Sequence, residues 1–73
     1  MIEFVLGSDY IELVKLLKIH GLAGTGGQSK QMISEGTVHV NGEPELRKRA
    51  KLRPGDVVEA AGVTIHITAA STT

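Results

Sequence analysis

Residues 21–42 read GLAGTGGQSKQMISEGTVHVNG, and this stretch contains the local signals that decide the fold. Thr25 and Gln28 have the Thr-x-x-Gln spacing of a capping box, in which each side chain bonds the other residue's backbone amide. They predict the start of a short helix over 26–35, which we name helix two. Gly36 stands at the position where a left-handed glycine would end that helix. The stretch therefore predicts a short helix with defined ends.

Upstream of this stretch, apolar residues first alternate and then recur at helical spacing. The alternation over 2–6 predicts a strand with one face buried. Asp9 and Glu12 have the spacing of a second capping box, which predicts helix one over 10–20, ended by Gly21. One apolar arc of helix one is predicted to face the core. It comprises Tyr10, Leu13, Val14, Leu16, Leu17 and His20.

Downstream of helix two, the pattern is that of strands joined by tight turns. Alternation over 37–40 predicts a half-buried strand, and Asn41-Gly42 is a strong signal for a type I′ turn. Pro44 cannot donate to a strand ladder, so it argues against a central strand there. Residues 45–53 are therefore expected to form an exposed excursion or an irregular edge.

The last third of the chain carries a second turn signal and the final strands. Pro54-Gly55 has Pro at the second and Gly at the third position of a type II turn. A strand is expected from Val57, and clean alternation over 63–67 predicts the last strand. Residues 69–73 are expected to be frayed. With no internal repeat and no linker, 73 residues predict a single domain over 1–73.

The charges of the chain are segregated along the sequence although they sum to zero. Residues 46–53 hold five cations and no acid, whereas the rest has three lysines against eight acidic residues. The five cations are Arg47, Lys48, Arg49, Lys51 and Arg53. Such segregation is typical of a protein in which one face meets phosphate. A solvated loop without a partner explains the charges alone equally well.

Composition and spacing argue against several other classes of protein. The chain has no cysteine, so disulfides and thiolate metal sites are excluded. No apolar run approaches the roughly 20 residues that span a bilayer, which predicts a cytoplasmic protein without a membrane partner. The glycines at 21, 26 and 27 miss the Walker spacing, because Gly27 stands where lysine is needed. We predict no cofactor.

The histidines and serines also lack the arrangement of a reactive centre. His20 is expected to be a ring at the edge of the core with a satisfied nitrogen. His39 and His66 lie on polar strand faces, where they could be neighbours but lack a third ligand with motif spacing. Neither Ser29 nor Ser34 has a base placed to activate it. We predict neither a catalytic nor a metal site.

Taken in order, the motifs over 21–59 resemble the S4 RNA-binding domain, in particular its small stand-alone bacterial members. The likeness covers residues 12–59. It rests on the Gly-Leu-Ala loop, the capped helix, the Gly-x-Val-x-Val-Asn-Gly strand and turn, and the Arg-Pro-Gly-Asp-Val-Val return. The resemblance implies an α+β, S4-like (alpha-L) fold with two packed helices against a small curved, mostly antiparallel sheet.

The resemblance also implies a monomer that binds structured RNA, with ribosomal RNA as the natural candidate. The RNA-binding residues that it implies are Thr25, Gly26, Lys30, Asn41, Arg47, Lys48, Arg49 and Lys51. Many family members have Arg where this chain has Glu12, and Ser-Arg where it has Thr25-Gly26. The phosphate contacts are therefore expected from Lys30 and the 47–51 cluster. A protein-interaction module that docks an acidic partner is the alternative.

The type of RNA follows from the aromatic content. Phe4 and Tyr10 are the only aromatic rings apart from the histidines, and both are predicted to point inward. Binding of single strands by base stacking needs exposed rings, so it is not expected. Recognition through phosphates, 2′-hydroxyls and shape is expected instead.

Overall fold

Two short helices pack with a small sheet in this protein, described here from a computed structural model. The described residues are 2–21, 24 and 26–70. Their elements in chain order are β1 (Ile2–Leu6), β2 (Ile11–Glu12), α1 (Leu13–Ile19), α2 (Gly26–Ser34), β3 (His39–Val40), β4 (Glu43–Pro44), β5 (Lys51–Leu52), β6 (Val57–Ala60) and β7 (Val63–Ala69).

The main sheet has five strands in the order β1-β7-β6-β3-β4. All of its neighbouring pairs are antiparallel except β1 and β7, which are parallel. Strands β2 and β5 form a separate two-stranded antiparallel ladder. The predicted α+β fold of two helices and a mostly antiparallel sheet is confirmed.

The core is one cluster of aliphatic side chains supplied by both helices and the sheet. Helix α1 buries Leu13, Leu16 and Leu17, as the predicted apolar arc requires. In β7 the alternation predicted from the sequence is present, because Ile65 and Ile67 are buried and His66 between them is half-buried. The sequence pattern therefore identified most of the core.

Helix one starts later than predicted, and its first turn is capped in another way. Residues 11 and 12 form strand β2, and Glu12 at the N-cap makes no side-chain capping bond. The backbone amide of Leu13 donates to the Ala50 carbonyl at 3.0 Å, and that of Val14 donates to the Lys48 carbonyl at 3.1 Å. Carbonyls of a distant loop thus satisfy the first amides of α1, and the predicted box between Asp9 and Glu12 does not start the helix.

Helix two runs over Gly26–Ser34, close to the predicted 26–35. It buries Ile33 and Ser29, and Gly36 follows it with a φ of +75°. The Oε1 atom of Gln28 accepts a hydrogen bond from the Gly24 amide at 2.6 Å. Thr25, the other half of the predicted capping box, lies outside the described residues.

Both predicted turns are present. Asn41 and Gly42 have φ values of +54° and +85°, as a type I′ turn requires, and they join β3 to β4. Gly55 has a φ of +99°, and the Asp56 amide donates to the Arg53 carbonyl at 3.1 Å, as in a type II turn. Strand β4, which contains Pro44, lies at the edge of the sheet, where a proline is accommodated. Residues 45–53, predicted to be an exposed excursion or an irregular edge, instead include strand β5 and the buried Ala50 and Leu52.

Two expectations about the core edge and the C-terminal region were wrong. The His20 ring meets the Phe4 ring edge to face at 5.5 Å, but its buried Nε2 has no hydrogen-bond partner in the described part of the chain. Ala69, expected to be frayed, ends strand β7 opposite Leu6, and the Ala70 amide donates to the Leu6 carbonyl at 3.2 Å. Parallel pairing with β1 therefore orders residues 69 and 70, whereas 71–73 lie outside the described residues.

Candidate nucleic-acid interface

The basic loop, residues 47–51, is fixed by its backbone. Its carbonyls at Lys48 and Ala50 accept the first amides of α1, and the Ala50 amide donates to the Arg47 carbonyl at 3.2 Å. The Ala50 side chain is buried in the core cluster, whereas the side chains of Lys48 and Arg49 are exposed. Because the main chain is held against the helix, the loop presents its cations to solvent from a defined position.

The far end of the basic loop belongs to the small β2–β5 ladder. Lys51 is paired with Glu12, and the neighbouring pair joins Ile11 to the buried Leu52. The Lys51 Nζ atom lies 5.0 Å from the ring centroid of Tyr10, in a cation–π contact. Tyr10 was predicted to point into the core but is 39% exposed. The sequence pattern therefore missed one exposed ring beside the cations.

Arg47 is the cation of the loop that has an acidic partner. Its Nε donates to the Glu45 Oε1 at 2.8 Å, and its NH2 group donates to Oε2 at 3.3 Å. The side-chain hydrogen bond from Arg47 lowers the pKa of Glu45, although burial opposes this effect, and the same bond raises the pKa of Arg47. Glu45 therefore offsets part of the positive charge that the sequence places here.

We expect the Arg47→Gln substitution to move the titration midpoint of Glu45 upward, because the main cause of its lowered pKa is removed. Since the folded-state pKa is lowered, ionised Glu45 stabilises the fold above its unfolded pKa, and this contribution disappears as pH falls through the lowered value. The Arg47 side chain is 80% exposed, so the effect on stability is small. Carboxyl-carbon NMR across a pH series measures the midpoint. An unchanged midpoint in the variant would contradict the assigned cause.

Asn41 ties two turns together. Its Nδ2 donates to the Asp56 Oδ1 at 3.1 Å, and its Oδ1 accepts from the Val57 amide at 2.9 Å. The other carboxylate oxygen of Asp56 accepts from the Arg53 amide at 2.8 Å. The polar groups of Asn41 are thus engaged within the protein, and they hold the turn that carries Arg53 against the β3–β4 turn.

Substitution of Asn41 by alanine is expected to lower the free energy of unfolding by about 1–3 kcal/mol. It removes both side-chain hydrogen bonds and places a Cβ-bearing residue without local polar compensation at a φ of +54°. Asn41→Gly loses the same hydrogen bonds, but glycine adopts a positive φ without strain. The free energy of unfolding should therefore fall by about 1 kcal/mol less than in Asn41→Ala. Urea unfolding of the three proteins measures the difference. An alanine variant as stable as wild type would show that the two turns do not depend on this contact.

The predicted site residues other than the exposed Lys48 fall into two groups. Arg47, Arg49, Lys51 and Arg53 border one shallow depression beside Ala50. Asn41 borders an adjoining depression together with Arg47 and Lys51. Arg53 was counted among the cations of the sequence but not among the site residues, and the structure places it beside them.

The second group lies at helix two. Lys30 is exposed on α2, and Gly26 is the first residue of that helix. Thr25 lies outside the described residues. The exposed Leu46, which precedes the basic loop, lies beside the end of α2, where a Cβ at Gly36 would be 3.9 Å from its Cδ2. The end of α2 and the residue before the basic loop therefore lie close together, although β3 and β4 separate them along the chain.

The remaining polar candidates do not form a metal centre. The described residues include no cluster of three His, Cys, Asp or Glu side chains that could hold a metal ion. His39 is paired with Glu59 on β6 and His66 with Val57 on the same strand, so β6 separates the two histidines. The described helices include none that is long and apolar enough to cross a membrane.

With the geometry described, comparison with known proteins gives the family. The S4 domain model matches residues 4–68, so the chain belongs to the S4 domain family. YbcJ of Escherichia coli (strain K12) is 41% identical over 70 residues, which cover 94% of this chain and 100% of YbcJ. The Bacillus subtilis (strain 168) protein named "Probable ribosome maturation protein RlbA" is 40% identical over 57 residues, which cover 78% of this chain and 80% of that protein.

A solved structure agrees with this assignment. The solution structure of Escherichia coli YbcJ superposes with a TM-score of 0.71 and 40% identity, over 93% of this chain and 87% of that one. Its description reports an ALFAL motif involved in RNA-binding. The family match extends beyond the 12–59 segment identified from motifs and takes in most of β1 and β7.

Proposed function

We propose that this protein binds structured RNA, with ribosomal RNA as the partner, and that it does so without catalysing a reaction. The observation that carries the proposal is the basic loop, whose backbone caps α1 while its cationic side chains face solvent. A fixed array of cations matches the regular phosphate spacing of folded RNA better than a mobile tail does. Family membership, the RNA-binding motif described for YbcJ and the naming of RlbA as a probable ribosome maturation protein support the same conclusion.

The proposed roles follow from the environment of each side chain. Lys48 and Arg49 are exposed and have no ion pair among the described residues, so they are proposed to neutralise phosphates together with Lys51. Arg47 contributes less because Glu45 already binds it. Asn41 is proposed to position the neighbouring turns.

Helix two is proposed to supply the other part of the RNA surface. Lys30 would meet a phosphate from the exposed side of α2. Thr25 and Gly26 would offer backbone amides at the positive end of the helix. We further propose that the protein acts as a monomer in the cytoplasm, where a ribosomal RNA partner would be found.

The test is binding of a labelled ribosomal RNA hairpin and its unstructured counterpart across a salt series. If about three to five phosphates are contacted, log affinity should fall with log salt at a slope of roughly −2 to −4. The hairpin should bind more tightly than the unstructured strand, because shape and 2′-hydroxyls are read in a helix. A Lys48/Arg49→Ala variant should bind more weakly and have a slope closer to zero by about 2.

The matched control is Lys18→Ala, which removes an exposed cation from α1 outside the basic loop. It should change affinity little. If folded wild-type protein binds neither RNA at low salt, the proposed function is wrong. The alternative, docking of an acidic protein partner, would then become the leading hypothesis.

A further inference from the structure

Tyr10 is an exposed aromatic ring held at the edge of the basic loop. The β2–β5 ladder pairs Glu12 with Lys51 and thereby brings the ring beside the Lys51 ammonium, 5.0 Å from its centroid. The Ser8 hydroxyl donates to the Tyr10 carbonyl at 3.0 Å and stabilises the turn that precedes the ladder. The Tyr10 backbone is therefore held on both sides, and its ring contacts the Lys51 ammonium although the residue remains 39% exposed.

An open recess begins at this ring. Its lining consists of Ser8, Asp9, Tyr10, Ile11, Glu12 and Lys15. The residues that line the recess thus include one aromatic residue, two acidic residues and one lysine. A phosphate would be repelled by the carboxylates, whereas a nucleobase could stack on the ring and donate hydrogen bonds to them.

We propose that this recess binds one unpaired guanine of the RNA partner, stacked on Tyr10, while Lys51 pairs with a phosphate of the same strand. The inference rests on the proposed RNA-binding function and adds a base-specific subsite to the phosphate-binding surface. It reverses the expectation from the sequence that no ring is available for stacking.

Stacking of a base is compatible with the present position of Lys51. The ammonium now lies over the Tyr10 ring, but a cation–π contact at an exposed site is weaker than base–aromatic stacking. Lys51 does not line the recess, so a base that stacks on the ring from the recess leaves the ammonium beside the nucleotide, where a charge-assisted contact to its phosphate replaces the contact with the ring. The exchange leaves both the ring and the cation with a partner.

Guanine is the base whose Watson–Crick edge has the hydrogen-bond donors that a carboxylate can accept. Carboxylates of Asp9 and Glu12 accept hydrogen bonds but cannot donate them when ionised. Guanine presents two adjacent donors, N1–H and the N2 amino group, on its Watson–Crick edge, and a carboxylate can accept both. Adenine, cytosine and uracil each place an acceptor next to a donor on that edge, so a carboxylate meets a repulsive lone pair.

The experiment compares a fully paired hairpin with hairpins that carry one bulged G, A, C or U, bound to wild type, Tyr10→Phe and Tyr10→Leu. Wild type should bind the bulged-G hairpin about 5- to 150-fold more tightly than the paired one, the range expected for one stacked base. Tyr10→Phe keeps the ring and should retain this increment. Tyr10→Leu should lose it while keeping the affinity for the paired hairpin and its salt slope.

A second measurement reports on the ring itself. The chain has one tyrosine and no tryptophan, so its tyrosine ring protons give an unambiguous NMR signal. They should shift upfield on addition of the bulged-G hairpin and much less on addition of the paired one. Asp9→Asn combined with Glu12→Gln should reduce the preference for G over A.

The outcomes separate this inference from the proposed function. Salt-dependent binding with equal affinity for paired and bulged hairpins would overturn the subsite and leave the proposed function standing. A preference for bulged G that survives in Tyr10→Leu would also overturn it. Equal binding of all four bulges would overturn the assignment to guanine. Absence of RNA binding by folded wild type would remove the proposed function and this inference together.

Discussion

Replacement of Lys48, Arg49 and Lys51 together by glutamate is expected to weaken binding of structured RNA by about 100-fold or more near physiological salt. Each substitution removes a charge-assisted contact to phosphate and adds a repulsive charge. Three fewer phosphate contacts should also bring the slope of log affinity against log salt close to zero. Fluorescence anisotropy with a labelled ribosomal RNA hairpin across a salt series measures both quantities.

The fold of this triple variant should be retained, although Lys51→Glu places a second carboxylate opposite Glu12 in the β2–β5 ladder at a cost of about 1 kcal/mol or less. The basic loop caps α1 through the carbonyls of Lys48 and Ala50, and these do not depend on the side chains. Negative charge near a helix N-terminus is moreover favourable. Far-UV circular dichroism should therefore match wild type, and the control Lys18→Glu should lower affinity far less. A folded triple variant that binds as tightly as wild type would show that RNA does not meet the basic loop.

The second large effect concerns stability. Leu16→Ala should lower the free energy of unfolding by about 2–5 kcal/mol, because Leu16 is fully buried and its truncation leaves a cavity. Domains of this size have only about 4–11 kcal/mol in total, so much of the stability is lost. Urea unfolding followed by circular dichroism gives the change in midpoint.

Ile19→Ala is the matched control, since it truncates an aliphatic side chain on the same helix. Ile19 is 55% exposed, so its loss should cost less than about 1 kcal/mol. If both variants lose the same stability, α1 does not pack as described. Because the basic loop is bonded to the first turn of α1, unfolding of Leu16→Ala should also weaken RNA binding, by lowering the folded fraction.

Comparison of the two ends of α1 shows why sequence reasoning reached only part of the structure. The core residues Leu13, Leu16 and Leu17 follow from helical spacing, which is a property of neighbours in the sequence. The start of the helix does not follow from helical spacing. Its first amides bond to the carbonyls of residues 48 and 50, which lie more than 30 positions away in the sequence. The short segments of the β2–β5 ladder carry no periodic signal of their own.

The candidate interface divides in the same way. The sequence places the cations together, and the resemblance to the S4 domain gave the correct family. The sequence did not indicate the contacts that these side chains make within the protein. The cation–π contact of Lys51 with Tyr10 and the hydrogen bond from Asn41 to Asp56 join residues that are distant in sequence. Glu45 is close to Arg47 in sequence, but no sequence pattern indicated that the two side chains pair.

The sequence alone thus determined the two helices, the tight turns, the buried faces of the strands and the segregation of charge. Each of these depends on local backbone preferences or on the order of residues along one element. Tertiary structure alone decided the parallel pairing of β1 with β7, the exposure of Tyr10 and the capping of α1 by the basic loop. These features depend on which distant segments meet in the folded chain. A buried amide or carbonyl must have a hydrogen-bond partner, and that partner can come from any segment that the fold brings close.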